Sequence, residues 1–322
     1  MIKILDTEMQ EQNTLVGAVP SADDAGPLSP SGQRMRRCLQ VFIQRAAQGQ
    51  LVIQPIPPAP IGMPRGAGHF HMGAELFLQI GGETAFRFPH ARLDLQETQA
   101  LVMPPKLLHD ERVQDGADAD FSNIVIYADS QVVTCHLAYQ ESPRKPGILH
   151  LEQCRDVEAA RIQNWLADAA TPPAVDPSAT WVFQQRALVL TALTSVRRLL
   201  DAPTSANLRE PPLLAKLRVL VQNRLGDPEL TVASLAQSLG CSADYLSHLY
   251  SSQTGEHLRG TIQKQRLARA ARLLTESDAA VKEVAWNCGF GSASYFIRSF
   301  RAEYGMTPQN YRFGGRKATI AC

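Results

Sequence analysis

The sequence predicts an α+β protein of more than one domain: a strand-rich N-terminal part with flanking helices, then an all-helical C-terminal third built on two helix-turn-helix units. Three observations predict it. The chain has 322 residues, more than one hydrophobic core usually serves. Between residues 51 and 138 the apolar residues come in short runs separated by Gly, Pro and Asp, the pattern of strands joined by turns. From Leu213 onward the apolar spacing is helical, and one sequence of cap, helix, glycine, cap and helix occurs twice.

Composition narrows the function class. With 44% hydrophobic and 20% charged residues, the chain has enough apolar side chains for packed cores and is not of the disordered type. No run approaches the roughly 20 apolar residues of a membrane helix, and the acidic opening Met1 to Met9 lacks the apolar stretch of a secretory signal. A cytoplasmic protein with no membrane partner is expected. The six cysteines form no CxxC pair, which argues against a disulfide framework and a cysteine-rich zinc site; Cys135, Cys241 and Cys288 read as small buried hydrophobes. Net charge is only +1, but residues 213–322 hold 14 Lys and Arg against 8 Asp and Glu. A basic module joined to an acidic one suggests that the C-terminal part meets a polyanion.

The expected organisation has four parts: a polar arm at 1–30, a strand-rich effector-binding domain at 31–150, a helical dimerisation region and linker at 151–212, and a DNA-binding domain at 213–322. A short helix is expected over Arg34 to Ala47. Strands are expected at Leu51–Ile56, Glu75–Ile80, Thr84–Phe88, Ala100–Met103 and Asn123–Tyr127. Helical spacing follows from Leu151, with Val157, Ala160, Ile162, Trp165 and Leu166, and again from Trp181 to Leu200. These helices either close the domain or form a dimer seam. A proline-containing, polar stretch from Asp201 to Pro212 marks a boundary.

In the C-terminal third, Thr231 is a candidate N-cap. Val232, Leu235, Ala236 and Leu239 make one apolar face, Gly240 supplies the left-handed turn, and Ser242 caps a second helix with Leu246, Leu249 and Tyr250 inward. This is the physics of a helix-turn-helix, whose second helix enters the major groove. The pattern recurs with Asp278 as cap, Val281, Val284 and Ala285, the turn Cys288-Gly289-Phe290, and Ser292 capping Ala293 to Tyr304 with Phe296, Phe300 and Tyr304 inward. A long helix from Leu258 to Leu274 joins the two units, and Thr307-Pro308 opens a last helix.

The order of these pieces, and above all the run from Ala285 through Cys288-Gly289-Phe290, Ser294-Tyr295-Phe296, Phe300-Arg301, Tyr304-Gly305-Met306-Thr307-Pro308 and Tyr311-Arg312, resembles the AraC/XylS family of transcription regulators. The resemblance covers about the last 100 residues. It implies double-stranded DNA as partner, with two recognition helices entering successive major grooves about one turn, ~34 Å, apart. Matched by position, the first recognition helix presents Asp244, Ser247 and His248, and the second Ala293, Ser294, Ile297 and Arg298. Arg298 has the donor fork for guanine; Arg301 and the backbone near Ser242 and Ser292 suit phosphates. Tyr245, Tyr295 and Tyr304 read as core. Each polar residue taken alone is as well explained by solvation; the tandem frame carries the reading.

The N-terminal part holds a second constellation. His69 and His71 alternate by two, so an extended chain points both imidazoles to one face. Glu75 lies two alternations further on, and His109 lies downstream. Three imidazoles and a carboxylate suit Zn, Fe, Ni or Mn. The HxHxxxE run followed by a glycine resembles the first motif of the cupin fold, a small β-barrel. The second motif is incomplete: Lys106 replaces the usual glycine after Pro-x, and Val113 stands where an asparagine is common. N-terminal domains of AraC-type regulators are cupin-like, so the resemblance implies an effector site at His69, His71, Glu75 and His109. Three readings stay open there: a divalent metal, an organic effector without metal, or structural histidines. The resulting expectation is an effector-responsive regulator, homodimeric, with RNA polymerase as a possible partner and no catalytic residues. A metal-dependent cupin enzyme with a helical appendage is the alternative.

Overall fold

The structure is a computed structural model that describes residues 29–56, 68–89, 91–113, 121–142, 145–172, 179–202 and 211–320. The expected arm falls outside the described residues up to position 28. Its last two residues do not belong to an arm: Ser29 caps helix α1 (Pro30–Ala47) by accepting from the Gly32 amide, and Pro30 occupies the first turn. The helix therefore starts four residues before Arg34, because serine followed by proline is a strong start signal. Met35, Leu39, Phe42 and Ala46 line its buried side at i, i+4, i+7 and i+11.

Strands β1 (Val52–Gln54), β2 (Glu75–Gly81), β3 (Thr84–Phe88), β5 (Gln99–Met103) and β7 (Ser122–Ala128) occupy the expected segments. Four more strands, β4 (Ala91–Leu95), β6 (Asp110–Val113), β8 (Val132–Ser142) and β9 (Lys145–Arg155), go beyond the sequence reading. They form a six-stranded sheet in the order β1-β5-β2-β7-β8-β9 and a three-stranded sheet in the order β4-β3-β6. Among the described residues no ladder joins the two, so the expected barrel is not closed; the strands stack as an open sheet facing a smaller one. Strands β2 and β7 are buried along both faces. One face of the large sheet, with Leu76, Leu78, Val102, Ile124 and Ile126, packs on helices. The other, with Phe77, Leu101, Met103 and Val125, packs on Phe86 and Leu95 of the small sheet.

The helical reading from Leu151 is corrected at its start. β9 runs through residues 150 and 151, so no domain boundary falls there, and Val157 lies 93% exposed ahead of helix α2 (Ala159–Ala170). Helix α3 (Ala179–Asp201) matches the second expected helix, with Val189, Ala192, Leu193, Val196 and Leu199 buried and Val182 exposed. α1, α2 and α3 share one core with the large sheet, so they belong to the N-terminal domain. Arg36 ties them together: it donates to Glu152 of β9 (2.8 Å) and to Asp201 at the end of α3 (3.2 Å).

The C-terminal domain contains helices α4 (Pro212–Arg224), α5 (Val232–Ser238), α6 (Ala243–Thr254), α7 (Leu258–Glu276), α8 (Val281–Asn287), α9 (Ala293–Tyr304) and α10 (Pro308–Ile320). Helix α4 adds a member that the sequence reading did not delineate. Among the described residues no helix is long and apolar enough to cross a membrane.

Candidate DNA interface and histidine centre

The two helix-turn-helix units are α5–α6 and α8–α9. Thr231 caps α5 by accepting from the Ser234 amide. The cap of α8 is Ala280 rather than Asp278: its amide donates to the Glu283 carboxylate, which takes over the reciprocal half of a capping box. Gly240 and Gly289 carry positive φ, +68° and +77°, as the turn requires. Ser242 and Ser292 then cap α6 and α9 by accepting from the amides of Tyr245 and Tyr295.

A shift of 50 residues superposes the two recognition helices in burial. Leu246 and Tyr250 are buried in α6, as are Phe296 and Phe300 in α9. Asp244, Ser247 and His248 are exposed on one helix, and Ser294, Ile297 and Arg298 on the other, with Arg301 one turn further; Ala293 is half-buried. Ser242 and Ser292 are exposed at the helix starts. All the residues assigned to DNA therefore lie on or beside the outer faces of the two helices. Two tyrosines are corrected. Tyr245 is 47% exposed and Tyr295 43%, because their register falls one residue before the inward positions. They join the outer face, and Tyr295 donates from its hydroxyl to Gln263 of α7.

The histidines sit at one end of the gap between the sheets. His69 and His109 exchange both backbone hydrogen bonds, 2.8 and 2.9 Å, in an isolated antiparallel bridge. Gly68 makes that approach possible: at φ +121°, a Cβ there would lie 2.4 Å from the His109 carbonyl oxygen. His71 follows two residues on, and Glu75 is the first residue of β2. The ring centroids of His69 stand 4.9 Å from His71 and 4.5 Å from His109. One nitrogen from each histidine falls within 4.8 Å of the others. The ring of His109 lies over Phe77 and Phe86, so the floor is apolar.

Glu111 of β6 belongs to this cluster, and the sequence reading missed it. Its carboxylate lies 3.7 Å from both His69 Nε2 and His109 Nε2, while Glu75 lies 3.4 Å from His71 Nε2 and 3.7 Å from His109 Nε2. The signal was present: Glu111 is two residues after His109, the alternation that also pairs His69 with His71.

Electrostatics separates the groups. Burial pushes His69 down to about 4 and His71 well below the ordinary histidine range. Burial also raises Glu75 to about 8, with the Glu111 charge adding to the rise. His109 ends raised, because the Glu111 and Glu75 carboxylates outweigh its burial; Glu111 ends lowered, because the same contact and the other histidines outweigh its own. Burial likewise holds His136, on β8, down at about 4.

Four buried atoms here have no hydrogen-bond partner: Nε2 of His69, His71 and His109, and Oε2 of Glu75. Buried polar atoms are normally paired, and these converge on one point. His109 uses Nδ1 to donate to the Leu107 carbonyl, 2.9 Å, which leaves its Nε2 as a lone pair aimed at the centre. The donor set therefore fits a divalent transition metal.

Comparison with known proteins bears on the C-terminal third. The family model of a helix-turn-helix domain matches residues 235–313. An HTH-type transcriptional regulator of Escherichia coli K12, YijO, is 34% identical over 127 residues, which is 39% of this chain and 44% of that protein. The arabinose operon regulatory protein of Salmonella typhimurium is 32% identical over 107 residues, 32% of this chain and 38% of that protein. Residues 235–313 therefore carry a helix-turn-helix domain. The chain spans less than half the length of these two curated relatives, both named as regulators, and neither supports the metal-enzyme alternative. Among solved structures, the DNA-binding domain of AdpA in complex with a target DNA is 31% identical, with 33% of this chain and 94% of that one covered and a TM-score of 0.31.

Proposed function

We propose that this protein is a sequence-specific transcription regulator of the AraC/XylS type, in which the AraC-type domain reads DNA and the N-terminal domain senses a small ligand. The observation that carries the DNA half is the 50-residue equivalence of α6 and α9, with matching serine caps and matching exposed faces. Two recognition helices of equal register address two major-groove segments. Arg298 is the strongest single base contact, since it is exposed on α9 and its guanidinium makes no ion pair among the described residues. Asp244, Ser247, His248, Ser294, Ile297 and the small Ala293 complete the base-reading faces. Ser242, Ser292 and Arg301 face phosphates.

The test is binding to the DNA upstream of its own gene at fixed salt. Replacing Arg298 with Ala is expected to weaken specific binding by about 1–3 kcal/mol while leaving non-specific binding nearly unchanged. Equal losses on specific and random DNA would remove Arg298 from the base-reading set.

For the sensing half, the cupin-like reading is supported by the meeting of HxHxxxE and His109 between two sheets. The ligand we assign is a divalent metal held by His69, His71, His109 and Glu75, with Glu111 beside them, on the strength of the four orphaned atoms. When bound, the metal fixes the charge and geometry of the pocket; the residues of this chain supply the imidazole lone pairs, exclude water through Phe77 and Phe86, and hold the ring of His109 in place. Elemental analysis is expected to return about one metal per chain, lost on His71→Ala. Metal-free protein that takes up none on dialysis would return the pocket to an organic effector. We further propose a cytoplasmic homodimer acting on repeated half-sites and contacting RNA polymerase; sedimentation at increasing concentration tests the dimer.

A further inference from the structure

The chain around the histidine centre faces two ways. His69 and His71 point into the pocket, and the intervening Phe70 points out, 3% exposed, into the core of the second helix-turn-helix unit. Leu108, next to His109, enters the same core, and Met72 packs against it. Alternation along an extended chain produces this: neighbours of an inward residue face outward. Three apolar side chains that adjoin metal-ligand candidates are thus embedded among Leu267, Ala270, Leu273 and Phe296 of the DNA-binding domain.

Polar contacts lie on the same seam, Arg272 of α7 donating to the Met72 carbonyl at 3.5 Å among them. The guanidinium of Arg269 on α7 sits 3.6 Å from the Phe70 ring centroid and donates to the Phe70 carbonyl at 2.9 Å. Gln222 on α4 donates from its side-chain amide to His71 Nδ1 at 3.3 Å, so the docked domain holds the His71 ring proton on Nε2, the atom a metal would need. Lys106 pairs with Glu276 of α7. Lys106 holds a left-handed φ of +66°, and its amide donates to the His71 carbonyl at 2.7 Å. The lysine that departs from the cupin pattern is the one that reaches the other domain.

We propose that a divalent metal in the histidine centre loosens the docking of the DNA-binding domain, with Arg269 as the group that feels the metal's charge and Gln222 as the group that holds His71 in the competing tautomer. The inference rests on reading the cluster as a metal site. Arg269 is 6% exposed, and its guanidinium is fixed against Phe70, the residue between His69 and His71. A doubly charged ion bound by those two rings is repelled by this buried cation, in surroundings that screen poorly. The Gln222 contact acts in the same direction, since it keeps a proton on the nitrogen whose lone pair a metal would take. Coupling of this kind is reciprocal: a docked Arg269 weakens metal binding, and bound metal weakens docking.

Zn2+ is the probe, titrated into the full chain against a competing chelator. Arg269→Met is expected to bind Zn2+ roughly tenfold more tightly than the unchanged chain, and Gln222→Ala more tightly as well. Tighter metal binding on removal of two side chains of the other domain is not what a merely structural role produces. Lys106→Gly suits its left-handed position and removes the pair with Glu276, so it is expected to tighten Zn2+ binding even where Arg269→Met fails to fold. Hydrogen exchange is expected to rise in residues 69–72 and 266–276 when Zn2+ binds. If neither the unchanged chain nor any variant binds Zn2+, the metal reading falls and this inference with it. If all bind with one affinity and exchange is unchanged, the coupling is wrong while the metal site stands.

Discussion

Gly240 and Gly289 make the same turn in the two helix-turn-helix units, but their surroundings differ. Around Gly240 a Cβ would meet nothing within 4 Å, whereas at Gly289 it would lie 2.6 Å from the Leu225 carbonyl oxygen and 2.8 Å from the Arg266 guanidinium. Arg266 is committed there, donating to the carbonyls of Leu225 and Asp227. Gly240→Ala is therefore expected to cost about 1 kcal/mol, the left-handed strain alone, and Gly289→Ala about 3 kcal/mol or more. Equal midpoints in urea for the two variants would contradict this account. Residue-scale features of this kind were legible in the sequence, because caps and turn glycines act over three or four positions. Glu111 was overlooked despite its alternation with His109, because its strand, Asp-Glu-Arg-Val, carries three charges and gives no apolar pattern to mark it as a strand.

Arg36, Glu152 and His150 show what an element can be held by. Arg36 joins α1 to β9 and to the last residue of α3, and His150 Nε2 lies 2.8 Å from the same Glu152. Burial pushes Glu152 up, but its bonds to His150 and Arg36 outweigh it and hold the carboxyl at about 2. A carboxyl depressed in the folded state stabilises the fold above its unfolded value of about 4.5. That stability is lost as pH falls from there toward about 2. Thermal unfolding from pH 6 to pH 3 should show the loss, and Arg36→Met should lower stability by about 3 kcal/mol at neutral pH by leaving Glu152 half-buried and unpaired. A melting temperature independent of pH over that range would mean the network does not stabilise the fold. In the other domain, Ser242→Ala and Ser292→Ala are each expected to cost about 1 kcal/mol, since the caps are equivalent. At this scale helices were easier to read than strands. β9 was taken as the start of a helix because Ile148, Leu149 and Leu151 are apolar at either spacing, and β8 lacks Gly or Pro punctuation within its run.

The whole molecule is where sequence reasoning ended earliest. The two domains and their order could be read, since each has its own apolar period. Their contact could not, because it joins residues about 200 positions apart, as Phe70 and Arg269 show, and neither side carries a local signal for its partner. Phe70 and Leu108 share a core with the second helix-turn-helix unit, so the halves are expected to unfold together in urea. Phe70→Ala should separate them into two transitions, followed peptide by peptide in hydrogen exchange; one transition in the variant would refute a shared core. The segment from Gly68 to Met72 also constrains length more tightly than chemistry. One inserted or deleted residue there slips the frame of the alternation, turning imidazoles toward the helices and the phenyl ring toward the sheets. Both halves fail in the same event, so the least damaging change in length at this hinge is a step of two.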